Sequence, residues 1–167
     1  MSVRRYEYIG PEAIRERPRG EPGFVVRTHG DLIAWLAANG DATSEGATYV
    51  VDLAGRLRLA PRRSEHIDCA GGHAVLAAGE VRFARGGAIV ELTNLSTGYC
   101  PDPECWPAVA AALASAGLAA PRGFTRRFVF RRCPGCAQIN LIKDDFYGCG
   151  ACDGELPRAW NLSRSGA

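Results

Sequence analysis

The chain has 167 residues, of which 47% are hydrophobic and 23% are charged, and its formal net charge is +2. These values are ordinary for a globular protein and exclude a disordered or collagen-like chain. No apolar stretch approaches the roughly 20 residues that cross a bilayer, and the net charge is too small to indicate a nucleic-acid or membrane partner by itself.

The first forty residues predict a short strand, a loop and one helix. Residues 4–9 have the composition of a short strand, whereas residues 10–23 contain three Pro and three Gly and are expected to form a loop. Asp31 is the candidate N-cap of a helix that should end near Asn39-Gly40. The apolar residues of this helix recur at helical spacing: Leu32, Ile33, Trp35 and Leu36.

The middle of the chain predicts four strands and a second helix. Two strands should flank Gly55, and residues 74–83 and 88–95 form the clearest hairpin of the sequence. Asp102 is expected to cap a helix with Pro at its first position, and Gly117 is expected to end it. The candidates for the buried face of this helix are Trp106, Val109, Ala110, Leu113 and Leu118.

Residues 124–130 alternate as a strand does, with three phenylalanines on one face and arginines on the other. Residues 121–167 carry eight Lys and Arg against four Asp and Glu, so the basic excess of the chain is local. The hypothesis is that this strand contacts phosphates or an acidic protein partner, and the alternative is a solvated strand face. The candidate partner-binding residues are Arg126, Arg127, Arg131 and Arg132.

Four of the seven cysteines form two C-x2-C pairs, Cys133–Cys136 and Cys149–Cys152. Each pair can deliver two thiolates to one ion, and four thiolates at about 2.3 Å satisfy tetrahedral Zn²⁺. This spacing is typical of zinc ribbons, and a four-cysteine shell leaves no position for a substrate, so the site should be structural. A redox dithiol pair and an iron site are the alternatives.

These patterns together predict an α+β fold, with an antiparallel sheet and two main helices followed by a C-terminal zinc ribbon. The change of composition near Pro121 places a domain boundary after residue 123. Residues 1–123 should form the α+β domain, and residues 124–167 the Arg-rich strand and the ribbon. An odd cysteine count without a recognisable signal peptide favours a reducing, cytoplasmic location.

The remaining cysteines suggest a second metal site. His66 and Cys69 are three residues apart, Cys100 and Cys105 are five apart, and together they could supply a Cys3His ligand set. The alternative is that the three cysteines are small buried hydrophobic residues, because free cysteine is often fully buried.

Three polar residues are candidates for catalysis. Glu80 interrupts an apolar strand, where a carboxylate can have a raised pKa, and His66 and Asp68 precede a glycine pair. An acid, a base and a close backbone approach would suit hydrolysis or group transfer in a cleft beside the hairpin. The alternative is that all three are hydrogen-bonded structural residues.

One family resemblance covers about residues 6–130. His66 before Gly71-Gly72, then Ala78-Gly79-Glu80, then Ser96, Tyr99 and Pro101 resemble a module of plant IQ-motif calmodulin-binding proteins and of some bacterial effector and toxin domains. The match is partial, because Ile67 and Asp68 stand where two serines are usual and Gly98 replaces a histidine. The resemblance implies an α+β fold and an effector-like setting, but no reaction.

The leading functional hypothesis is a bacterial cytosolic binding or adaptor protein. The bacterial assignment comes from the composition, because 19 of the 20 Lys and Arg residues are Arg. The ribbon and the basic strand would contact a protein or a nucleic acid. The alternative is an enzyme, or a degenerate relative of one, with its site around His66, Asp68 and Glu80, so catalysis is left open.

Overall fold

The computed structural model describes residues 3–163, and its mixed α/β architecture confirms the predicted class. The helices are α1 (Glu12–Glu16), α2 (His29–Ala38), α3 (Ala42–Glu45), α4 (His66–Cys69) and α5 (Trp106–Ser115). The strands are β1 (Phe24–Val26), β2 (Ala47–Val51), β3 (Leu57–Pro61), β4 (Ala77–Phe83), β5 (Ile89–Leu92), β6 (Phe130–Arg132) and β7 (Ile139–Leu141). No helix in this described range is both long and apolar enough to cross a bilayer.

Five strands form one antiparallel sheet in the order β1-β3-β2-β4-β5. Tyr49 of β2 pairs with Leu59 on one side and with Gly79 on the other. All five residues of β2 are buried, since α4 and α5 both pack against this middle strand. The β4–β5 hairpin was predicted over residues 74–83 and 88–95; its strands are shorter than that, and it carries a bulge between Arg82 and Phe83.

The N-cap of helix α2 lies three residues earlier than predicted. Thr28 is the N-cap, and its hydroxyl accepts a hydrogen bond of 3.0 Å from the Asp31 backbone N–H. The Asp31 carboxylate accepts in return from the Thr28 backbone N–H at 3.2 Å. Asp31 is therefore the third helical residue of a capping box, and only its role as the N-cap was wrong.

Helix α5 has the predicted cap and the predicted end. The Asp102 carboxylate accepts from the Glu104 backbone N–H at 3.1 Å, which caps a 3-10 turn (Pro103–Cys105) that leads into α5. Gly117 has a φ of +69°, a left-handed conformation that L residues with a Cβ rarely adopt. The buried hydrophobic residues of this region are Val109, Ala112, Leu113, Ala116 and Leu118.

Three predicted segments differ in the structure. Residues 4–9 make a single bridge between Tyr6 and Val75, and the 10–23 loop contains α1. Residues 124–129 do not form a strand, because side chains satisfy part of their backbone. The Phe128 backbone N–H donates to Asn94 Oδ1 at 2.8 Å, and Asn94 Nδ2 donates to the Phe128 carbonyl at 2.7 Å.

The C-terminal segment packs against the loop around Cys100 through a second hydrophobic cluster of Cys100, Phe130 and Leu162. Trp160 Nε1 donates to the Cys100 carbonyl at 3.0 Å. Asn161 exchanges two hydrogen bonds with the Arg132 backbone, accepting at 2.9 Å and donating at 2.7 Å. The chain that leaves β6 therefore returns beside it. The division of the chain at residue 123 stays a prediction.

Candidate metal centre

The two C-x2-C segments fold into turns of the same form. In the first turn, residues 133–138, the Cys133 N–H donates to the Gln138 carbonyl and the Ala137 N–H donates to the Cys133 carbonyl, both at 2.8 Å. The second turn, residues 149–154, repeats this pattern around Cys149 at 2.8 and 3.0 Å. Each turn bends the backbone so that its two thiols point to the same side. We call residues 133–157 the ribbon loop.

The two turns bring the four sulfur atoms into one cluster. Cys133 Sγ lies 3.5 Å from Cys152 Sγ, and Cys136 Sγ lies 3.6 Å from Cys149 Sγ. All four sulfur atoms lie within 4.8 Å of one another. A tetrahedral ion with metal–sulfur bonds of 2.3 Å requires sulfur separations of about 3.8 Å. The four cysteines are therefore positioned to bind one metal ion.

The surroundings of Cys149 favour its ionised form. Burial alone would raise the pKa of this thiol, but hydrogen bonds from the Ala151 backbone N–H and from Asn140 lower that pKa to about 6. The two N–H···S contacts measure 3.4 and 3.5 Å. The thiolate that a metal requires is thus stabilised by the protein itself.

Asn140 links the two turns, a role that no predicted motif assigns to it. Its side-chain amide donates to Cys149 Sγ at 3.5 Å, and its Oδ1 accepts from the Gly150 backbone N–H at 2.9 Å. It also donates to the Gln138 carbonyl at 3.0 Å. A polar residue between the two apolar residues of β7 is the only sequence signal that marks this role.

The structure does not assemble the predicted second metal site. Within residues 3–163, the only group of three or more potential ligands is the four-cysteine cluster. Cys69 donates to the Arg58 carbonyl at 3.7 Å, and Cys69 and Cys105 lie in the main core, whereas Cys100 lies in the second cluster. Burial raises the pKa of each of these three thiols to about 12. The prediction that they join His66 around one ion is wrong.

His66 links α4 to β4 through a hydrogen bond. Its Nε2 lies 2.8 Å from the Gly79 carbonyl oxygen and donates to it. Burial lowers the pKa of His66, so the ring is neutral at physiological pH. A Cβ at Gly79 would collide with the Thr93 carbonyl, so only glycine allows this close approach of β4 to the end of β5.

Asp68 and Glu80 each have an arginine partner. Asp68 forms ion pairs with Arg17 and Arg19, and Glu80 accepts from Arg62 at 2.9 Å. The two carboxylates line different cavities. The arrangement of His66, Asp68 and Glu80 is thus explained by structural partners, and the enzymatic alternative stays a prediction.

The four candidate partner-binding arginines do not share one surface. Arg126 and Arg127 are exposed and Arg132 is half-buried. Arg131, in contrast, is buried and donates to Asp102 at 3.0 Å and to the Arg158 carbonyl at 2.7 Å. The expectation that Arg131 contacts a partner is therefore wrong, because its guanidinium is already used inside the protein.

Charge is divided sharply along the C-terminal segment. The ribbon loop contains Lys143 and all four acidic residues of residues 121–167, so its formal charge is −3. Four thiolates around a divalent ion would add −2, which gives −5 for the loaded loop. All the arginines of residues 121–167 precede the ribbon loop or follow it. A negative loop of this kind repels phosphate groups.

Neither a protein-family model nor a curated protein nor a solved structure matches this chain. The metal centre is therefore recognised from its own geometry. The resemblance of residues 6–130 to the plant IQ-motif calmodulin-binding proteins and bacterial effector domains stays a prediction.

Proposed function

We propose that the chain is a zinc-ribbon interaction module, in which a structural zinc site holds the ribbon loop in shape for contact with a protein partner. Zinc is the ion proposed because four thiolates in a tetrahedral arrangement select zinc or iron, and a closed four-cysteine shell is the usual structural zinc site. The proposed role of the ion is mechanical, since no coordination position remains for a substrate.

The observation that carries the proposal is the exposure of Phe146. This side chain is 72% exposed, the most exposed large hydrophobic residue of residues 3–163. Its backbone N–H donates to the Lys143 carbonyl at 3.0 Å, so the residue ends a tight turn between the two cysteine pairs. Exposed aromatic residues on rigid supports are typical anchors of protein–protein contacts.

The turn before Phe146 supports the same conclusion. Asp144 and Asp145 both have positive φ values, +52° and +57°, which is the conformation of a hairpin turn that glycine and asparagine prefer. Two consecutive aspartates there carry a conformational cost. A partner that recognises the two carboxylates beside the exposed phenyl ring would account for this conformational cost.

A protein partner is favoured over nucleic acid by the charge of the ribbon loop. The negative loop would oppose approach to a phosphate backbone. A partner with an apolar recess and a surrounding cationic surface fits the loop better. The exposed Arg126 and Arg127, which precede β6, are proposed as a separate contact for acidic groups of the same partner.

Site-specific photo-cross-linking tests the proposal. A photoreactive phenylalanine analogue at position 146 should give a discrete adduct in the cells that express the protein, and the same analogue at Val90, exposed on β5, should not. Phe146→Glu should abolish complex formation with the partner so identified while the bound zinc is retained. The proposal would be contradicted if both positions gave the same adduct pattern. It would also be contradicted if the protein bound a 20-nucleotide RNA or DNA tightly and Phe146→Glu left that binding unchanged.

A further inference from the structure

The four-cysteine metal centre is open to solvent on one side. Cys133 and Cys149 are buried, with 1% and 2% of their surface exposed. Their neighbours across the cluster, Cys152 and Cys136, are both exposed. Each exposed sulfur lies beside a buried one, at 3.5 Å in the first pair and at 3.6 Å in the second. An oxidant that reaches an exposed sulfur therefore has a second thiol within contact distance.

A glycine borders the cluster where a side chain could have covered it. A Cβ built on Gly135 would lie 3.8 Å from Cys133 Sγ and 4.0 Å from Cys152 Sγ. Gly135 is exposed and its backbone is not left-handed, so a side chain would fit at this position and would shield the two sulfur atoms. The chain leaves this pair of thiols uncovered.

The surroundings of the cluster favour one class of oxidant. Thiols become oxidised where they are exposed, have thiolate character and lie beside a second cysteine. A metal ligand must be a thiolate, so all three conditions are met at the exposed sulfur atoms. Hydrogen peroxide is small and uncharged, and the negative charge of the ribbon loop does not repel it as it repels an anionic oxidant.

We propose that the metal centre is also an oxidation site, at which hydrogen peroxide turns two thiolate ligands into a disulfide and thereby releases the metal ion. The Cys152 thiolate attacks a peroxide oxygen, the O–O bond breaks, and hydroxide leaves a sulfenic acid behind. The Cys133 thiolate then attacks the Cys152 sulfur, which forms the S–S bond and expels a second hydroxide. Each hydroxide takes up a proton, so two thiolates are oxidised while one peroxide is reduced to two waters.

The disulfide would remove half of the metal shell, because only a thiolate is a metal ligand. Cys136 and Cys149 form the equivalent second pair. The inference rests on the proposed function, since the ion that is lost is the one that holds the ribbon loop in shape. Oxidation therefore takes the rigid support away from Phe146, and a thiol reductant together with zinc restores it.

Peroxide treatment of the zinc-loaded full chain tests the inference. Native mass spectrometry first counts the zinc, and a chromophoric chelator then follows its release. We expect one zinc ion to be released per chain as the first disulfide forms, and a thiol reductant with added zinc should reverse the change. Dimedone, which traps sulfenic acids, should label the exposed ligands, Cys136 or Cys152, and not the buried ones.

Gly135→Leu shields the cluster and keeps all four ligands. It should lower the yield of sulfenic acid at Cys152 severalfold, because its side chain starts within contact distance of that sulfur. Gly20→Leu is the matched control, since Gly20 is exposed and has open space around it. If Gly135→Leu does not hold zinc, Gly135→Ala replaces it, because the added methyl lies at an ordinary contact distance from both sulfur atoms.

The outcomes separate this inference from the proposed function. A chain that holds no zinc before treatment contradicts both. Zinc that stays bound at a peroxide dose that fully oxidises free cysteine contradicts the inference alone. So does dimedone labelling of the buried ligands, or equal labelling of Cys152 in the two glycine variants. Cys69→Ala should release zinc at an unchanged rate, because Cys69 lies in the main core, and a slower release would also overturn the inference.

Discussion

Arg131 donates a hydrogen bond of 3.0 Å to Asp102, and both side chains are only 7% exposed. The second oxygen of this carboxylate accepts from the Glu104 backbone N–H ahead of α5. Asp102 thus caps a turn of the main body and also neutralises Arg131 of β6. This buried ion pair joins β6, which leads into the ribbon loop, to the turn ahead of α5.

Removing one partner of this pair should be costly. We expect Arg131→Met to lower the free energy of unfolding by about 3–5 kcal/mol, because Asp102 is left buried and unpaired. Urea denaturation measures the change. Arg127→Met, at an exposed arginine, is the control and should change stability by no more than about 0.5 kcal/mol. If the two variants lowered the free energy of unfolding equally, the buried ion pair would contribute nothing to stability.

The metal content should be one zinc ion per chain. Native mass spectrometry of protein purified without added metal measures it. Cys149→Ser should lose the ion because it removes a buried ligand, whereas Cys69→Ala should keep it because Cys69 lies in the main core. Two ions per chain, or retention of tightly bound zinc by Cys149→Ser, would refute the assignment of the site.

Asn140 should control metal affinity without being a ligand. We expect Asn140→Ala to weaken zinc binding about 10- to 100-fold, because it removes the N–H···S bond to Cys149 and frees the second turn. Competition with a chromophoric chelator gives the affinity. Gln138→Ala is the matched amide control, since that exposed side chain donates only to the adjacent Ile139 carbonyl. An affinity equal to that of the control would rule out this positioning role.

His66 should make stability depend on pH. Burial lowers its pKa in the folded state below the usual 6.5, so the unfolded chain takes up a proton at a higher pH than the folded chain does. The contribution of neutral His66 to the free energy of unfolding is full above pH 6.5. It is lost as the pH falls through the folded-state pKa of His66.

The matching experiment is urea denaturation at several pH values below 7. The free energy of unfolding should fall with pH in the original chain, and the curve should be flatter in His66→Gln. His29→Gln, at an exposed histidine, is the control and should keep the original slope. An unchanged slope in His66→Gln would show that His66 does not carry the effect.

The sequence predicted what depends on neighbouring residues. The two strand segments of the β4–β5 hairpin and the spacing of the C-x2-C pairs are local signals, and the structure bears out both. The role of Arg131 was missed because the face it occupies is decided by Asp102, which is 29 residues away. The alternation of residues 124–130 alone predicts an outward arginine. The buried Asp102 carboxylate is what turns Arg131 inward.

Other parts of the structure carry no local signal at all. Residues 124–129 alternate like a strand, but Asn94 takes up part of their backbone hydrogen bonding, which no pattern in the segment reveals. A groove of about 930 Å³ beside α5 is lined by Tyr6, Leu76 and Ala108, residues that only the fold brings together. Distance in sequence, rather than weak propensity, separates what could be predicted from what could not.

The hydrogen bonds between Arg132 and Asn161 place the entry and the exit of the ribbon loop side by side. The ribbon loop is therefore an insertion whose two ends meet at one place on the body. A different metal-binding loop can be grafted between the same anchors, provided that it supplies a strand in place of β7, which pairs with β6. Recombination at this junction would change which partner the protein meets while leaving the five-stranded body and its core intact.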